Sequence, residues 1–246
     1  PNSFTPTATS TSNSITVTAS TTDRAATADN GSSGISGYRF SKDNGSTWTA
    51  YQASGTYTYS GLTQNTNYTI TVEAIDKAGN TTQASVAKST GEVPSNITVS
   101  YSTTDWTNGN VVVTAKANVS GYTLQYKNGN TWTTYPASGI TLSKNGSVDF
   151  RLFDGTNGGS NVTGTVGNID KLSPNSFTPT ATSTSSSVTV TANTTDQAKT
   201  TEYASSGIAG YRFSIDNGST WTAYQTSGAY TYNALAQNQS YTIKVE

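Results

Sequence analysis

The chain has no cysteine, no histidine and no methionine, and only 11% of its 246 residues are charged. Without cysteine there is no disulfide framework, no thiolate zinc site and no thiol nucleophile. Without histidine the commonest general base and metal ligand is missing, so a conventional Ser or Cys triad cannot be assembled. Carboxylates remain, but Glu73, Asp76 and Glu92 are scattered over a strand end and a linker, and nothing suggests two of them facing a sugar-sized gap. The expectation is therefore a chain that is not an enzyme and has no catalytic residues. Thirteen basic and 14 acidic residues leave a net charge of −1, which argues against a nucleic-acid partner or an anionic membrane surface. Hydrophobic residues make up 32%, too few for one large core and enough for several thin sandwiches. With no initiator Met and both edges at a repeat boundary, the chain reads as an internal window of a larger protein. The absence of a signal peptide or anchor is then uninformative.

What fills the chain instead is Thr, Ser, Asn and Gly, with Tyr, Trp and Val recurring at strand spacing. Residues 1–73 return at 174–246 with 54 identities in 73 positions, a fixed offset of 173. That is the signature of a tandem array of independently folding units. Period-two alternation predicts strands at Ile15–Thr18, Gly37–Ser41, Thr47–Thr49, Tyr57–Tyr59, Tyr68–Val72 and Thr81–Ala87, with a type I′ hairpin turn at Asn44-Gly45. About seven short strands with regular turns is a β-sandwich pattern. The middle stretch is a diverged relative of its flanks. Gly121-Tyr122-Thr123-Leu124 and Asn128-Gly129-Asn130-Thr131-Trp132-Thr133 align with the first repeat at an offset of 84. Val111–Val113 and Val148–Leu152 supply its other core strands. Pro-ended linkers near 89–95 and 168–174 should hold adjacent modules stiffly end to end. The expected domains are a sandwich at 1–92, a diverged sandwich at 93–172, and a copy of the first at 173–246 lacking its last strand.

Leu62 and Tyr68, six residues apart within Leu62–Val72, resemble the E–F corner of fibronectin type III domains. There the Tyr hydroxyl bonds back to upstream backbone to form a tyrosine corner. Leu235 and Tyr241 repeat the pair. The stretch Ser33–Trp48, with Ala74–Asn80, is similar to bacterial Ig-like modules of large surface proteins, as are Asp105–Val111 and Asn168–Lys171. The first repeat lacks the strand-B Trp common in fibronectin domains, which leaves both families open. The resemblance implies an all-β chain of tandem Ig-like/fibronectin type III-like β-sandwiches in an extended array. It fixes no ligand, because these sandwiches serve as spacers, adhesive tips and accessory modules alike.

Each candidate chemistry competes with a plainer role. Asp23 and Asp29, in the long loop before Gly37, could join Asp76 to hold Ca²⁺, since hard cations want several oxygens; carboxylates recur at Asp196 and Glu202. Turn chemistry explains the same residues and is preferred, so no metal ligand and no cofactor is assigned. Trp48, Trp132, Trp221, Tyr57 and Tyr59 could stack on sugars. Their spacing fits the core and a sheet-covering role better. Lys42, Lys77 or Lys88 could form an isopeptide crosslink only within a buried Lys–Asn/Asp–carboxylate trio. Asn-x-Ser/Thr sequons such as Asn67-Tyr68-Thr69 are expected by chance in such a composition. The copies differ most at residues 24–31 against 197–204, where free drift is the favoured explanation over recognition.

The function expected is a stalk or fibre segment of a repetitive extracellular bacterial protein, on the cell surface or secreted, spacing an adhesive or functional tip. At about 35–40 Å per sandwich from strand rise and loops, the window would span about 100 Å. The alternatives are a carbohydrate- or receptor-binding module and a filament subunit that exchanges strands. The expected partners are neighbouring modules, other copies of the protein and an unspecified glycan or protein, with no membrane insertion in this segment.

Overall fold

Alternating β-branched and aromatic residues keep the backbone extended, and no α-helix forms anywhere in the chain. The computed structural model describes all of residues 1–246. In the first repeat, β1 (Thr7–Ser10), β2 (Ile15–Thr18), β3 (Ile35–Ser41), β4 (Thr56–Tyr59), β5 (Asn67–Asp76) and β6 (Thr81–Ser89) build two antiparallel sheets. Their orders are β1-β2-β4 and β3-β5-β6. One face of each strand is apolar, which fixes the register, since a slip of one residue would turn that face to water. Ile15, Val17, Phe40, Ile70, Val72 and Ala74 are fully buried, and the Phe40 ring stacks on Tyr57 at 5.4 Å. On the outer face of β2, Thr16 and Thr18 pair their hydroxyls with Thr58 and Thr56 at 2.9 and 3.2 Å.

The turn at Asn44-Gly45 has the positive φ values its sequence requires, 57° and 85°. The strand expected at Thr47–Thr49 does not form. The Asp43 side chain accepts the Thr47 N–H at 2.8 Å and the Ser41 hydroxyl at 2.7 Å, curling the segment into a loop. Beyond two bonds between Thr49 and Phe40, only one of them backbone to backbone, pairing resumes only at Gln52, which bridges Tyr38. The last repeat keeps this loop through Asp216, which accepts the Thr220 N–H at 2.8 Å. In the middle stretch the Asp43 counterpart is Lys127, which cannot capture an N–H, and a true hairpin results.

That stretch contains β7 (Ile97–Tyr101), β8 (Val111–Ala117), β9 (Thr123–Asn128), β10 (Thr131–Thr134), β11 (Ile140–Leu142), β12 (Gly146–Phe153) and β13 (Val162–Val166). The sheets run β11-β8-β7 and β10-β9-β12-β13. Strand β9 turns into β10 through Gly129-Asn130, with only Gly129 at positive φ, 61°, as a type II′ turn demands. The last repeat holds β14 (Thr180–Ser183), β15 (Val188–Thr191), β16 (Phe213–Ser214), β17 (Ala229–Tyr232) and β18 (Lys244–Val245), ordered β14-β15-β17 and β16-β18. Ile243 and Val245 are half-buried, whereas their counterparts Ile70 and Val72, flanked by β6, are fully buried.

Contacts divide the chain into two compact units, 1–100 with 115–139 and 148–164, and 101–114 with 140–147 and 165–246. Each unit therefore joins one repeat to part of the middle stretch, and each linker lies inside a unit.

Candidate functional site

For a chain of repeats the sites that matter are those that fix one repeat against its neighbour. In the first unit the linker is tied down before it leaves the first repeat. The Thr90 hydroxyl donates to the Thr63 carbonyl at 2.7 Å and accepts the Thr66 N–H at 3.0 Å, and the Gly91 N–H bonds to Thr11 at 2.8 Å. Val93 is 1% exposed. The Gln64 side-chain amide accepts the Val93 N–H and donates to the Gly158 carbonyl, both at 2.8 Å.

The loop after β12 completes this junction. Asp154 accepts the N–H groups of Thr156 and Asn157 at 2.9 and 2.7 Å, and the Ser12 hydroxyl at 2.6 Å. Its carbonyl accepts the Asn13 amide at 3.0 Å. Asn157 donates from its own amide to the Leu62 carbonyl at 2.9 Å. Burial pushes the Asp154 carboxyl up, but the donors Asn157, Ser12 and Thr156 outweigh it and hold the group below its ordinary value. A Cβ on Gly159 would lie 2.8 Å from the Pro94 carbonyl oxygen and 2.9 Å from that of Val93, so the close approach admits only glycine.

A second junction lies in the other unit. Ile169 is fully buried. Asn145 mimics a strand partner for it, accepting the Ile169 N–H and donating to its carbonyl, both at 2.9 Å. The Ala204 N–H reaches the same carbonyl at 3.0 Å, and the Asn145 N–H reaches the Glu202 carbonyl at 2.8 Å. Asp170 accepts the N–H of Ser206 at 2.7 Å and of Leu172 at 3.0 Å. These donors prevail over the burial that opposes them, and the Asp170 carboxyl is held low. The Lys144–Glu202 ion pair at 2.6 Å is 58% and 48% exposed, so it adds little, at most about 1 kcal/mol. The variable loop 197–204, expected to drift freely, thus carries junction contacts through Glu202 and Ala204.

Of the candidate calcium ligands, Asp23 and Asp76 come together at one recess of the first repeat. The Gly34 N–H is the main cause that holds Asp23 down to about 2, against the pull of burial. Asp76 closes the β5–β6 turn by accepting from Ala78 and Asn80. Asp29 lies on the exposed loop and bonds to neither. No cluster of three or more carboxylates is placed to hold a metal ion. Lys42 and Lys77 are exposed and Lys88 is half-buried, so none sits in a buried crosslinking trio.

Three of the four tryptophans, Trp48, Trp132 and Trp221, cover a sheet face, each clamped by an arginine, whereas Trp106 is 55% exposed. The Arg39 guanidinium lies 4.7 Å from the Trp48 ring and 4.8 Å from Tyr51. Its Nε donates to Glu73 at 2.7 Å, and Tyr51 and Gln83 donate to the same carboxylate. Arg212 repeats the clamp over Trp221 and Tyr224, with Glu246. Arg151 sits 4.3 Å over Trp132, with Gln125 as acceptor. Glu73 is 3% exposed and was legible in sequence only as a scattered carboxylate. The tyrosine corner forms as the resemblance implies, with the hydroxyl of Tyr68 accepting the Thr63 N–H at 3.1 Å and that of Tyr241 the Ala236 N–H at 3.0 Å.

No protein-family model matches the chain. It is 36% identical over 110 residues to Exoglucanase A of Cellulomonas fimi, a match covering 42% of this chain and 12% of that protein. The chain thus spans a small part of that relative. Among solved structures it is similar to a two-domain fibronectin type III segment of chicken tenascin, at 16% identity and TM-score 0.30 over 68% of this chain and 98% of that one. It is also similar to domains A168-A170 from titin, at 13% identity and TM-score 0.33 over 99% and 92%. The fold itself rests on the two sheet orders and the tyrosine corners. The chain is all-β, with antiparallel sheets packed as sandwiches in tandem.

Proposed function

We propose that the chain is a structural spacer: three successive modules, 1–92, 93–172 and 173–246, of a repetitive extracellular bacterial protein that projects a functional or adhesive tip. The observation that carries this is the pair of junctions, where Gln64, Asp154 and Asn157, and then Asn145 and Asp170, clamp side chains onto linker and loop backbone. A flexible tether needs no such bonds, whereas a spacer that must transmit direction does. The absence of histidine and cysteine favours a non-enzymatic role. The match to Exoglucanase A favours a module that can also accompany a secreted enzyme. NMR relaxation tests the reading: amides of β5 and β12 should report one rotational correlation time, and markedly shorter, independent times would refute a stiff junction.

A further inference from the structure

The loop that docks Ile169 and Asp170 onto the last repeat has a counterpart 173 residues earlier. Its docking end is unchanged in sequence, Ser32-Ser33-Gly34-Ile35 against Ser205-Ser206-Gly207-Ile208. Its geometry is the same as well. The Asp23 carboxylate accepts the Gly34 N–H at 2.8 Å as Asp196 accepts that of Gly207 at 2.7 Å. Gly34 and Gly207 share a φ of 81° and 85°. The incoming chain is held alike. Asn2 and Asn175 each donate a backbone N–H to Thr22 or Thr195 at 2.9 Å and a side-chain amide to the same Thr hydroxyl at 3.0 Å. Chain ahead of Pro1 would therefore enter from the direction in which Ser173 enters Pro174.

At this pole the first repeat carries a polar recess of about 610 Å³, lined among others by Asp23, Arg24, Gly31, Ser33 and Asp76. Gly31 and Ser33 stand where Ala204 and Ser206 stand in the last repeat. We propose that the recess is a socket for the Asn-Ile-Asp-Lys end of another middle-type module. The Ile carbonyl is received by the Gly31 N–H and the Asp carboxylate by the Ser33 N–H. The first repeat differs from the last by presenting Arg24 where the last has Gln197. Asp76, which also lines the recess, has its oxygens occupied by its own turn. The surface thus receives a strand-like end of defined sequence, and one kind of junction can propagate through an array.

The proposal rests on the stiff-junction reading, and the test separates the two. Two extended chains carry, joined to Pro1, either a copy of residues 93–173 or only a copy of residues 166–173, which needs no folding of its own. Amide hydrogen exchange is measured at Ser33, with Ser206 in the same molecule as internal reference. Ser206 is expected to be protected throughout. Ser33 should become about tenfold slower on extension, the scale of one added charge-assisted bond. Asp170→Ala in the added copy should abolish the gain. Ser206 protected but Ser33 unchanged in both extended chains overturns the socket alone. Ser206 unprotected overturns the junction reading and the socket with it.

Discussion

The Ser12–Asp154 bond offers the sharpest energetic test of the first junction, because its partners are 142 residues apart and meet only if the junction forms. The hydroxyl is buried, with Ser12 6% exposed, and donates to a carboxylate at 2.6 Å. A charge-assisted bond of this kind contributes about 1.5–3 kcal/mol, and Ser12→Ala should cost an amount in that range. Asp154→Ala also strips the acceptor from the Thr156 and Asn157 N–H groups, so its cost should be about 2–4 kcal/mol. If the bond exists in solution, the double variant loses less than the sum, with a coupling of about 1–2 kcal/mol from urea unfolding followed by tryptophan fluorescence. The coupling must also depend on pH with a definite sign. The folded Asp154 carboxyl sits below its ordinary value, so on acidification the unfolded chain takes up its proton first. The stabilisation is full above the ordinary carboxylate pKa of about 4 and fades as pH falls below it. Additivity within about 0.5 kcal/mol at neutral pH would refute the junction as described.

Three further outcomes follow from the same geometry. Gly159→Ala should destabilise the first unit by about 1–3 kcal/mol because its Cβ meets the linker carbonyls, while Gly146→Ala, which opens onto free space, should leave the melting temperature unchanged. Tyr68→Phe removes the acceptor for the Thr63 N–H and should cost about 0.5–1.5 kcal/mol in thermal unfolding, with faster exchange of that amide. Asp23, Asp43 and Asp216, each held down to about 2, should keep stability flat from neutral pH to the ordinary carboxylate range and let it fall between there and about pH 2; Asp23→Asn should make that acid limb shallower in a fluorescence titration.

Strands were legible wherever a period of two coincides with a buried face, as at Ile15 and Val17 or Ile70 and Val72. The strand proposed around Trp48 fails because a local side-chain acceptor, Asp43, competes with the ladder, and sequence alternation does not register that competition. The junctions were invisible for a different reason. Asp154, Asn157 and Asn145 belong to residue types that bond their own backbone in turns, and Asp154 does so. Nothing in the chain marks that the side chains of Asp154 and Asn157 also reach Ser12 and Leu62. Glu73 was hidden likewise, since its partners Arg39, Tyr51 and Gln83 come from other strands and a loop. The corner at Leu62 and Tyr68 was readable because both of its halves lie within six residues.

The anchoring of Thr90 and Gly91 also decides how the first repeat meets tension. A pull arriving through the linker does not fall on the free end of β6, where ladder bonds would open one after another like a peeled tape. Thr90 passes the load to the Thr63–Thr66 corner, and Gly91 passes it to the end of β1 at Thr11. Several bonds in two separate loops must then yield together before the sheet is stressed, so the repeat should rupture abruptly at high force rather than creep.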